Sequence, residues 1–271
     1  MLRIKSCIAL FLFGILFVYL LIVFFLWAFQ RELLYHPGED PGEAPEGWRD
    51  LIVVTEDGIK LKAWFKESKS KKSDFCVLYL HGNAGNREEF LVDAALFERF
   101  DVPILMIDWR GFGGSEGSPT EKGLYLDAEA GLNALTKATG MDVTRVVVCG
   151  RSLGTGPSVY LASKYNIKAV ILISPYTSIV DVGQRLYPYA PVSLLCKDRF
   201  NVIKIAHKVK CPVLVIVGTK DRLVPMDLSL KLASRFKNHR ILKIEGADHN
   251  DIVFDTGKEE IIKELERLLL K

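Results

Sequence analysis

The chain of 271 residues has few histidines and few cysteines, five of each. Neither residue type occurs at a spacing typical of a metal site, and no glycine-rich loop of a phosphate-binding type is present. The sequence therefore predicts no metal and no cofactor. It also lacks an excess of either charge, because 36 basic and 33 acidic residues leave a formal charge of only +3. A nucleic-acid partner is not expected from this balance.

Beyond the first 32 residues the chain has no internal repeat, no low-complexity tract and no linker-like composition. About 240 residues without such a break are expected to form one domain. Eight apolar, strand-like runs occur, and after a first hairpin helical stretches separate them, which is typical of a mostly parallel sheet with helices on both faces. The runs are 51–55, 61–65, 75–80, 103–108, 145–149, 168–173, 213–217 and 240–244, and the helical stretches are 87–100, 121–137, 153–165, 227–236 and 259–269.

Residues 146–156 contain the most informative motif, a β-branched run that leads into Gly-x-Ser-x-Gly and then into a helix-forming stretch. A serine at such a strand-to-helix turn has a strained backbone, and only small residues two positions before and after it let strand and helix pass closely. Gly150 and Gly154 meet this need. The motif predicts Ser152 as a nucleophile and the Leu153 N–H as a donor to an oxyanion.

A second match to the same pattern is centred on Ser115. There the preceding strand ends at Asp108, and Gly111 and Gly113 intervene before the serine. The next helix is expected to start after this loop, with Ser118 as its N-cap and a proline at the first helical position. Ser115 is therefore expected in a loop between elements, and Ser152 is the preferred nucleophile.

Of the five histidines, His249 is the best candidate for the base. It lies in a loop after the run at 240–244 and downstream of the serine. A solvated loop histidine beside a helix cap is the alternative interpretation. His36, His207 and His239 are expected at the surface. His81 opens the turn 81–85, where a hydrolase of this type places its second oxyanion donor.

Asp221 is the best candidate for the acid that orients the histidine. It follows the apolar run at 213–217, so its carboxylate is expected at the C-terminal edge of the sheet, level with Ser152. Asp227 is the rival, but it is expected in the first turn of a helix, where an acid complements the helix dipole. Asp248 and Asp251 are close to the histidine in sequence and suit capping roles. The order serine, aspartate, histidine is that of an α/β-hydrolase.

An insertion of about 35 residues, at about 176–210, interrupts the alternation of strands and helices near the expected catalytic edge. It is long enough for two short helices, which could line an acyl pocket or only cover the sheet edge. Cys196 and Cys211 flank its end and are the one pair of cysteines expected to be able to form a disulfide, if the domain faces an oxidising compartment.

Residues 6–29 form an uncharged, apolar run. A helix of this length, roughly 36 Å, spans a bilayer with some tilt. No small-x-small cleavage site ends the run, so we expect an uncleaved signal anchor. Arg3 and Lys5 precede the run and Arg31 follows it on an acidic side, which predicts a cytoplasmic N-terminus and an exocytoplasmic catalytic domain. The expected division is a cytoplasmic tip and anchor at 1–32 and a catalytic domain at 33–271.

Five short segments resemble motifs of a known protein family, namely 81–85, 108–113, 150–154, 218–221 and 248–250. Together with the N-terminal apolar run, they make the chain resemble the membrane-anchored α/β-hydrolase-domain proteins. That branch includes the hydrolase-domain-containing proteins thirteen and seventeen and many bacterial relatives. The resemblance extends from about residue 33 to the C-terminus. It implies the α/β-hydrolase fold and a serine hydrolase that acts on esters or thioesters, and protein deacylation is known within the branch.

Three classes of function are open at this point. The first is a membrane-tethered serine hydrolase that cleaves acyl esters or thioesters, with a lipidated protein or a lipid as candidate substrate. Ser152, activated by His249 and Asp221, would form an acyl-enzyme, and the N–H groups of Asn83 and Leu153 would hold the oxyanion. The second is a serine peptidase on the same fold, although no charged anchor for a peptide terminus is identifiable. The third is a non-catalytic membrane adaptor, against which the intact serine, acid and histidine argue.

Overall fold

Ten strands are present in the computed structural model, which describes residues 2–70, 73–253 and 256–270, without the side chains of residues 2–4 and 256. In chain order they are β1 His36–Pro37, β2 Arg49–Val54, β3 Lys60–Lys66, β4 Cys76–Leu80, β5 Ala84–Gly85, β6 Ile104–Ile107, β7 Val146–Arg151, β8 Ala169–Ile173, β9 Val213–Gly218 and β10 His239–Ile244.

Eight of these strands form one sheet in the order β10-β9-β8-β7-β4-β6-β3-β2. Every neighbouring pair in it is parallel except β2 with β3 and β3 with β6. The five central parallel strands β4, β6, β7, β8 and β9 are buried along their whole length, as expected when helices cover both faces, whereas the edge strand β10 is largely exposed. The predicted eight-stranded, mostly parallel sheet is confirmed.

The helices cover both faces of the sheet because alternate side chains of each strand point to opposite faces. Along β4, Leu78 and Leu80 belong to one hydrophobic core, whereas Val77 and Tyr79 belong to the other. In chain order the α-helices are α1 Leu2–Ala28, α2 Gln30–Leu34, α3 Leu91–Ala94, α4 Glu121–Thr139, α5 Thr155–Lys164, α6 Ile179–Leu186, α7 Val192–Leu195, α8 Met226–Ala233 and α9 Thr256–Leu269. Helices α4, α5 and α8 contribute to the first core, and α3 and α9 contribute to the second.

The expected helix over 87–100 is instead a 3-10 helix at Arg87–Phe90, then α3, then a second 3-10 helix at Ala95–Phe100. Arg87 and Asp93 are both buried, and each forms an ion pair with a residue of the sheet edge. Six positions apart on a regular α-helix, two side chains point about 120° apart, whereas 3-10 turns bring such positions back to one side. The tighter winding therefore lets both side chains face the sheet.

The start of α4 also differs from the expectation, because its N-cap is Thr120 and not Ser118. The Thr120 hydroxyl accepts a hydrogen bond from the N–H of Gly123 at 3.0 Å, and the backbone of Thr120 is extended. The helix then begins at Glu121. A threonine whose oxygen reaches the N–H three positions on satisfies a helix donor, so it ends the loop two residues later than expected.

A two-stranded ladder that the sequence analysis did not predict joins the start of the domain to the turn after β4. β1 pairs in parallel with β5, with His36 opposite Ala84 and Pro37 opposite Gly85. The His36 N–H donates to the Asn83 carbonyl oxygen at 2.8 Å. The segment that follows the apolar helices is thereby attached directly to the turn 81–85.

Helices α6 and α7 are the two short helices expected in the insertion. Within the described residues, Lys5–Ala28 is the one helical segment long and apolar enough to cross a membrane. The apolar run expected from the sequence is thus present as one continuous α-helix and is a candidate membrane span.

The expected Cys196–Cys211 disulfide is not formed, because all five cysteines are free thiols. The Cys196 thiol lies 3.3 Å from the Asp198 carbonyl oxygen, in the insertion at the C-terminal edge of the sheet. Cys211 precedes β9 at the opposite edge and is buried in the first hydrophobic core. A six-residue strand is about 17 Å long, which is well beyond the span of a disulfide.

Candidate active site

Ser152 lies at the sharp turn between β7 and α5. Its φ is +48°, in the left-handed region, and it is buried. A Cβ at Gly150 would collide with Ser158 Oγ and lie 2.5 Å from the Gly154 carbonyl oxygen, and a Cβ at Gly154 would collide with the Leu80 carbonyl oxygen. Both glycines are therefore required by close approach. The strain at the serine is held by the packing of strand against helix.

Ser152, His249 and Asp221 are brought together by three separate loops. Ser152 Oγ lies 3.0 Å from Nε2 of His249, and Nδ1 of the same ring lies 2.8 Å from Oδ2 of Asp221. The serine follows β7, the aspartate follows β9 and the histidine follows β10, so all three lie at the C-terminal edge of the sheet. All three side chains are buried. The arrangement can transfer a proton from the serine to the imidazole.

The Asp221 carboxylate is fixed by three further donors. Its Oδ1 accepts hydrogen bonds from the N–H groups of Leu223, at 3.0 Å, and Val224, at 2.8 Å. Its Oδ2 accepts a third from Ser174 Oγ at 2.9 Å. Ser174 follows β8 with φ +51°, so its backbone is strained like that of Ser152. Ser174 was not among the residues predicted from the sequence, and its position directly after a central strand was the available signal.

The alternative acids lie away from the imidazole. Asp227 is in the first turn of α8, and its Oδ2 lies 2.5 Å from Nη2 of Arg185 with both side chains exposed. Asp248 accepts hydrogen bonds from the N–H groups of Arg222 and His249. Asp251 in turn accepts one from the N–H of Asp248 at 2.6 Å. Asp248 and Asp251 therefore stabilise a turn, and Asp227 forms an ion pair at the surface.

Ser115 lies in the loop after β6, and neither hydrogen bond of its hydroxyl involves a histidine. Its Oγ donates to the Asp108 carbonyl oxygen at 3.1 Å and accepts from the Lys62 N–H at 2.8 Å. The Asp108 carboxylate pairs with Arg87. Burial raises the pKa of Asp108 to about 6, although the charge of Arg87 opposes the rise. This serine holds the loop against β3.

The turn 81–85 passes beside the serine. A Cβ at Gly82 would lie 3.7 Å from the Cβ of Ser152. The Asn83 side chain donates from Nδ2 to the Leu34 carbonyl oxygen at 2.7 Å, and the main-chain carbonyl oxygen of Asn83 accepts from the His36 N–H. The side-chain amide is thus bonded to the end of α2, so a hydrogen bond from Asn83 to a substrate would come from its backbone N–H.

His81 is buried among aromatic rings and is neutral. Its Nδ1 lies 2.9 Å from the Gly82 carbonyl oxygen, and its Nε2 lies 3.4 Å from the Trp109 N–H. These partners place the proton on Nδ1, so the Asp108 carboxylate 3.4 Å from Nε2 makes no ion pair with the ring. Burial lowers the pKa of His81 to about 3. The remaining histidines expected at the surface are exposed, or half-buried in the case of His239.

Arg151, the residue before the serine, was missed by the sequence analysis. Its Nη1 donates to both carboxylate oxygens of Asp93, at 2.8 and 3.1 Å. Its Nη2 donates to the carbonyl oxygens of His249, at 3.2 Å, and Asn250, at 3.0 Å. Burial raises the pKa of Asp93, and the neighbouring guanidinium opposes that rise. The sequence offers no signal for these partners, because they lie 58 to 99 positions away.

The cavity above Ser152 has a volume of about 340 Å³. Its walls come from the turn 81–85, from the loops that carry the acid and the histidine, from α2 and from α6. Apolar side chains from these elements face it, namely Leu33, Leu34, Phe90, Ile179, Val182, Leu186, Leu223 and Val224. Within the described part of the chain, no group of three or more histidine, cysteine or acidic residues could hold a metal ion.

A family model described as the alpha/beta hydrolase fold matches residues 76–191. An uncharacterized protein of Mycobacterium tuberculosis is 36% identical over 236 residues, which cover 85% of this chain and 84% of that protein. Alpha/beta hydrolase domain-containing protein 17B of Homo sapiens is 38% identical over 206 residues, covering 74% of this chain and 69% of that protein. The chain belongs to the α/β-hydrolase family. The resemblance stated from the motifs is confirmed.

Two further similarities concern the membrane and the fold. An uncharacterized membrane protein of Saccharomyces cerevisiae is 31% identical over 255 residues, covering 88% of this chain and 89% of its own length. The Pyrococcus furiosus esterase Pf2001 superimposes with a TM-score of 0.72 at 24% identity, over 87% of this chain and 99% of that one. Family membership supports a hydrolase activity, and the apolar helix together with the membrane relative supports membrane association.

Proposed function

We propose that this protein is a membrane-tethered serine hydrolase that cleaves acyl ester or thioester bonds. The observation that supports this most is the pair of contacts on His249, 3.0 Å to Ser152 Oγ and 2.8 Å to Asp221 Oδ2. A histidine bonded to a serine on one side and to a carboxylate on the other is the arrangement that activates a serine nucleophile. A non-catalytic adaptor has no need of a strained, buried serine in this position.

The reaction would proceed through an acyl-enzyme. As Ser152 Oγ bonds to the acyl carbonyl carbon, its proton passes to Nε2 of His249, and Asp221 stabilises the imidazolium through Nδ1–H. The N–H groups of Leu153 and Asn83 would donate to the oxyanion. Collapse breaks the bond to the leaving alcohol or thiol, which takes the proton from Nε2. Water, deprotonated by the same imidazole, then releases the carboxylic acid and restores the serine.

An acyl substrate fits the cavity better than a peptide does. Arg151 is the one lysine, arginine or acidic residue of the described chain that lines it. Its guanidinium is committed to Asp93 and to two loop carbonyl oxygens. A peptidase that binds a chain terminus needs a charged partner for that terminus, since a buried unpaired charge is costly. The peptidase is therefore the second candidate.

The test of activity uses a fluorophosphonate probe and short acyl esters. Wild-type protein should be labelled and should hydrolyse the esters, Ser152→Ala should do neither, and Ser115→Ala should remain active because its serine only supports a loop. The His249→Ala variant should be as inactive as Ser152→Ala, because the three residues act as a unit. Turnover by Ser152→Ala, or loss of activity confined to Ser115→Ala, would contradict the proposal. Hydrolysis of peptides without hydrolysis of esters would favour the peptidase.

We also propose that the N-terminus is cytoplasmic and the catalytic domain exocytoplasmic. The support is the basic residues Arg3 and Lys5 before the apolar run against the single Arg31 after it, which also pairs with Asp198. An epitope added after the last residue should be degraded by protease outside intact cells. Protection of the epitope until the membrane is permeabilised would reverse the orientation.

A further inference from the structure

A second cavity, of about 150 Å³, adjoins the cavity above Ser152. The two cavities have wall residues in common, from α2 and from α6 of the insertion. These shared residues are Leu33, Leu34, Ile179, Val182 and Leu186. A flexible chain attached to a carbonyl group at Ser152 would have to pass only these aliphatic side chains to enter the second cavity.

The second cavity is lined mainly by apolar side chains, and its amide and carboxylate groups, those of Gln30 and Asp198, are already bonded. Gln30 donates from Nε2 to the carbonyl oxygens of Trp27 and Leu195, and its Oε1 accepts from the Lys197 N–H. Asp198 accepts two hydrogen bonds, one on Oδ2 from Nε of Arg31 at 2.8 Å and one on Oδ1 from the Glu121 N–H at 2.9 Å. Because Asp198 is already paired, a ligand in the second cavity would meet mainly apolar side chains and no unpaired charge.

One wall of the second cavity is made by the end of the membrane helix itself. Leu26 and Trp27 of α1 line it, as do Gln30 and both leucines of α2. The insertion forms the other wall and is attached to the helix at several points. Tyr19 OH donates to the Tyr189 carbonyl oxygen at 3.1 Å, and Lys197 Nζ lies 4.4 Å from the centre of the Trp27 ring.

The insertion also exposes large apolar side chains on its outer surface, on the side that faces α1. Leu194 of α7 is 82% exposed and Tyr189 is 56% exposed, close to the helix that carries the apolar run. Large apolar side chains beside a membrane helix are expected to enter the lipid interface. The second cavity therefore lies where the acyl chain of a membrane-inserted molecule would approach the domain.

We propose that the second cavity is an acyl-chain subsite, built jointly by the membrane helix and the insertion. It takes the distal part of a linear fatty acyl chain whose ester or thioester carbonyl group lies at Ser152. The inference rests on the proposed hydrolase function and adds to it that the anchor is part of the substrate site and selects long chains. The chain reaches the serine between α2 and α6.

The test compares hydrolysis of p-nitrophenyl butyrate and p-nitrophenyl dodecanoate by the full-length protein in detergent micelles. Gly183→Leu fills the insertion wall, since a Cβ at this position already lies 3.0 Å from Val192 Cγ1. Leu26→Trp fills the anchor wall. Both variants should lower the ratio of kcat/KM for dodecanoate to kcat/KM for butyrate at least tenfold. Each methylene group removed from water contributes about fourfold to binding, so excluding two of them suffices.

The matched controls carry the same leucine-to-tryptophan change on exposed surfaces. Leu20→Trp lies on the same helix as Leu26, and Leu194→Trp lies on the insertion. Neither residue lines the second cavity or the cavity above Ser152. Both controls should keep the wild-type ratio within twofold. Labelling of Ser152 by a small fluorophosphonate verifies that each variant is folded.

A second experiment distinguishes whether the acyl chain is taken from a phospholipid or from a lipidated peptide. The protein is placed in phosphatidylcholine vesicles that contain an S-palmitoylated peptide, and fatty acid release from each carrier is measured. Release from either one should be lowered by Gly183→Leu and Leu26→Trp. If both variants keep the wild-type chain-length ratio while hydrolysis persists, the subsite is wrong and the hydrolase stands. If wild-type protein hydrolyses neither ester, the hydrolase proposal fails and the subsite fails with it.

Discussion

The guanidinium of Arg151 donates a hydrogen bond to the main-chain carbonyl oxygen of His249 at 3.2 Å. The residue that precedes the proposed nucleophile thus holds the loop that carries the proposed base. A second hydrogen bond from the same nitrogen, to the Asn250 carbonyl oxygen, and the ion pair with Asp93 fix the guanidinium on both sides. Since the arginine does not touch the imidazole ring, we regard it as a positioning residue.

Replacing this arginine by lysine should separate positioning from folding. Arg151→Lys keeps a positive charge beside Asp93 but cannot reach both the carboxylate and the loop carbonyl oxygens. We expect kcat for a short ester to fall about 10- to 100-fold with little change in KM, because small displacements of a catalytic group have effects of this size. Arg151→Met, which leaves the buried carboxylate unpaired, should in addition be strongly destabilised. An unchanged kcat in Arg151→Lys would show that the contact with the loop has no catalytic consequence.

The choice between the two candidate acids can be tested by one isosteric change at each. Asp221→Asn should lower kcat by about four orders of magnitude, because an amide favours the wrong tautomer of the imidazole. Asp227→Asn should change kcat by less than twofold, since its side chain pairs with Arg185 at the surface. Steady-state kinetics on one ester gives both values. A severe loss in Asp227→Asn combined with a mild one in Asp221→Asn would move the acid to position 227.

Asp198 should contribute more to stability than its partner Arg31 does. Their ion pair is half-exposed on the arginine side, so Arg31→Ala is expected to cost at most about 1 kcal/mol. Asp198→Ala also removes the acceptor of the Glu121 N–H at the start of α4, and a buried donor left unpaired costs about 1–3 kcal/mol. Thermal unfolding in the same detergent should give the lower Tm for Asp198→Ala. The reverse order would mean that the membrane helix, rather than α4, depends on this carboxylate.

His81 should make the protein sensitive to acid. Burial lowers the pKa of His81 to about 3, below the value of about 6.5 for an unfolded chain. Between these values the unfolded state binds a proton that the folded state does not, so the free energy of unfolding should decrease as the pH falls from about 6.5, by up to ~1.4 kcal/mol per pH unit. This contribution is fully retained above pH 6.5.

The measurement compares wild-type protein with His81→Asn by denaturant unfolding between pH 4 and pH 7. The comparison is needed because burial raises the pKa values of Asp108 and Asp127 to about 6, which contributes a slope of the opposite sign over a similar range. In the variant, the slope of the unfolding free energy against pH on the acid side should be smaller by the amount that the uptake of about one proton contributes. Parallel stability curves for the two proteins would mean that His81 is protonated in the folded state.

The long apolar helix, the sheet and the strained turn at Ser152 follow from the sequence because each depends on interactions between residues close together in the chain. A β-branched run forms a buried strand, and the two glycines of the motif are required wherever a strand and a helix pass at one serine. Because the serine, the aspartate and the histidine follow the parallel strands β7, β9 and β10, their order likewise places all three at one edge of the sheet. Their distances of 3.0 and 2.8 Å needed coordinates, since neither follows from the order of residues.

Only the tertiary structure decided which groups meet across long stretches of chain. Arg151 reaches His249, Ser174 reaches Asp221, and the segment after α2 pairs with the turn 81–85, although no local pattern marks any of these contacts. The prediction of a Cys196–Cys211 disulfide was wrong for the same reason. The spacing of the two cysteines along the chain does not reveal that they lie at opposite edges of the sheet, one strand length apart. The sequence by itself determined most of the elements of the main sheet, the parallel direction of its central strands and the position of Ser152, Asp221 and His249 at one sheet edge. The packing of the membrane helix and the insertion against that edge was decided by long-range contacts, in which apolar surface is buried without regard to sequence separation.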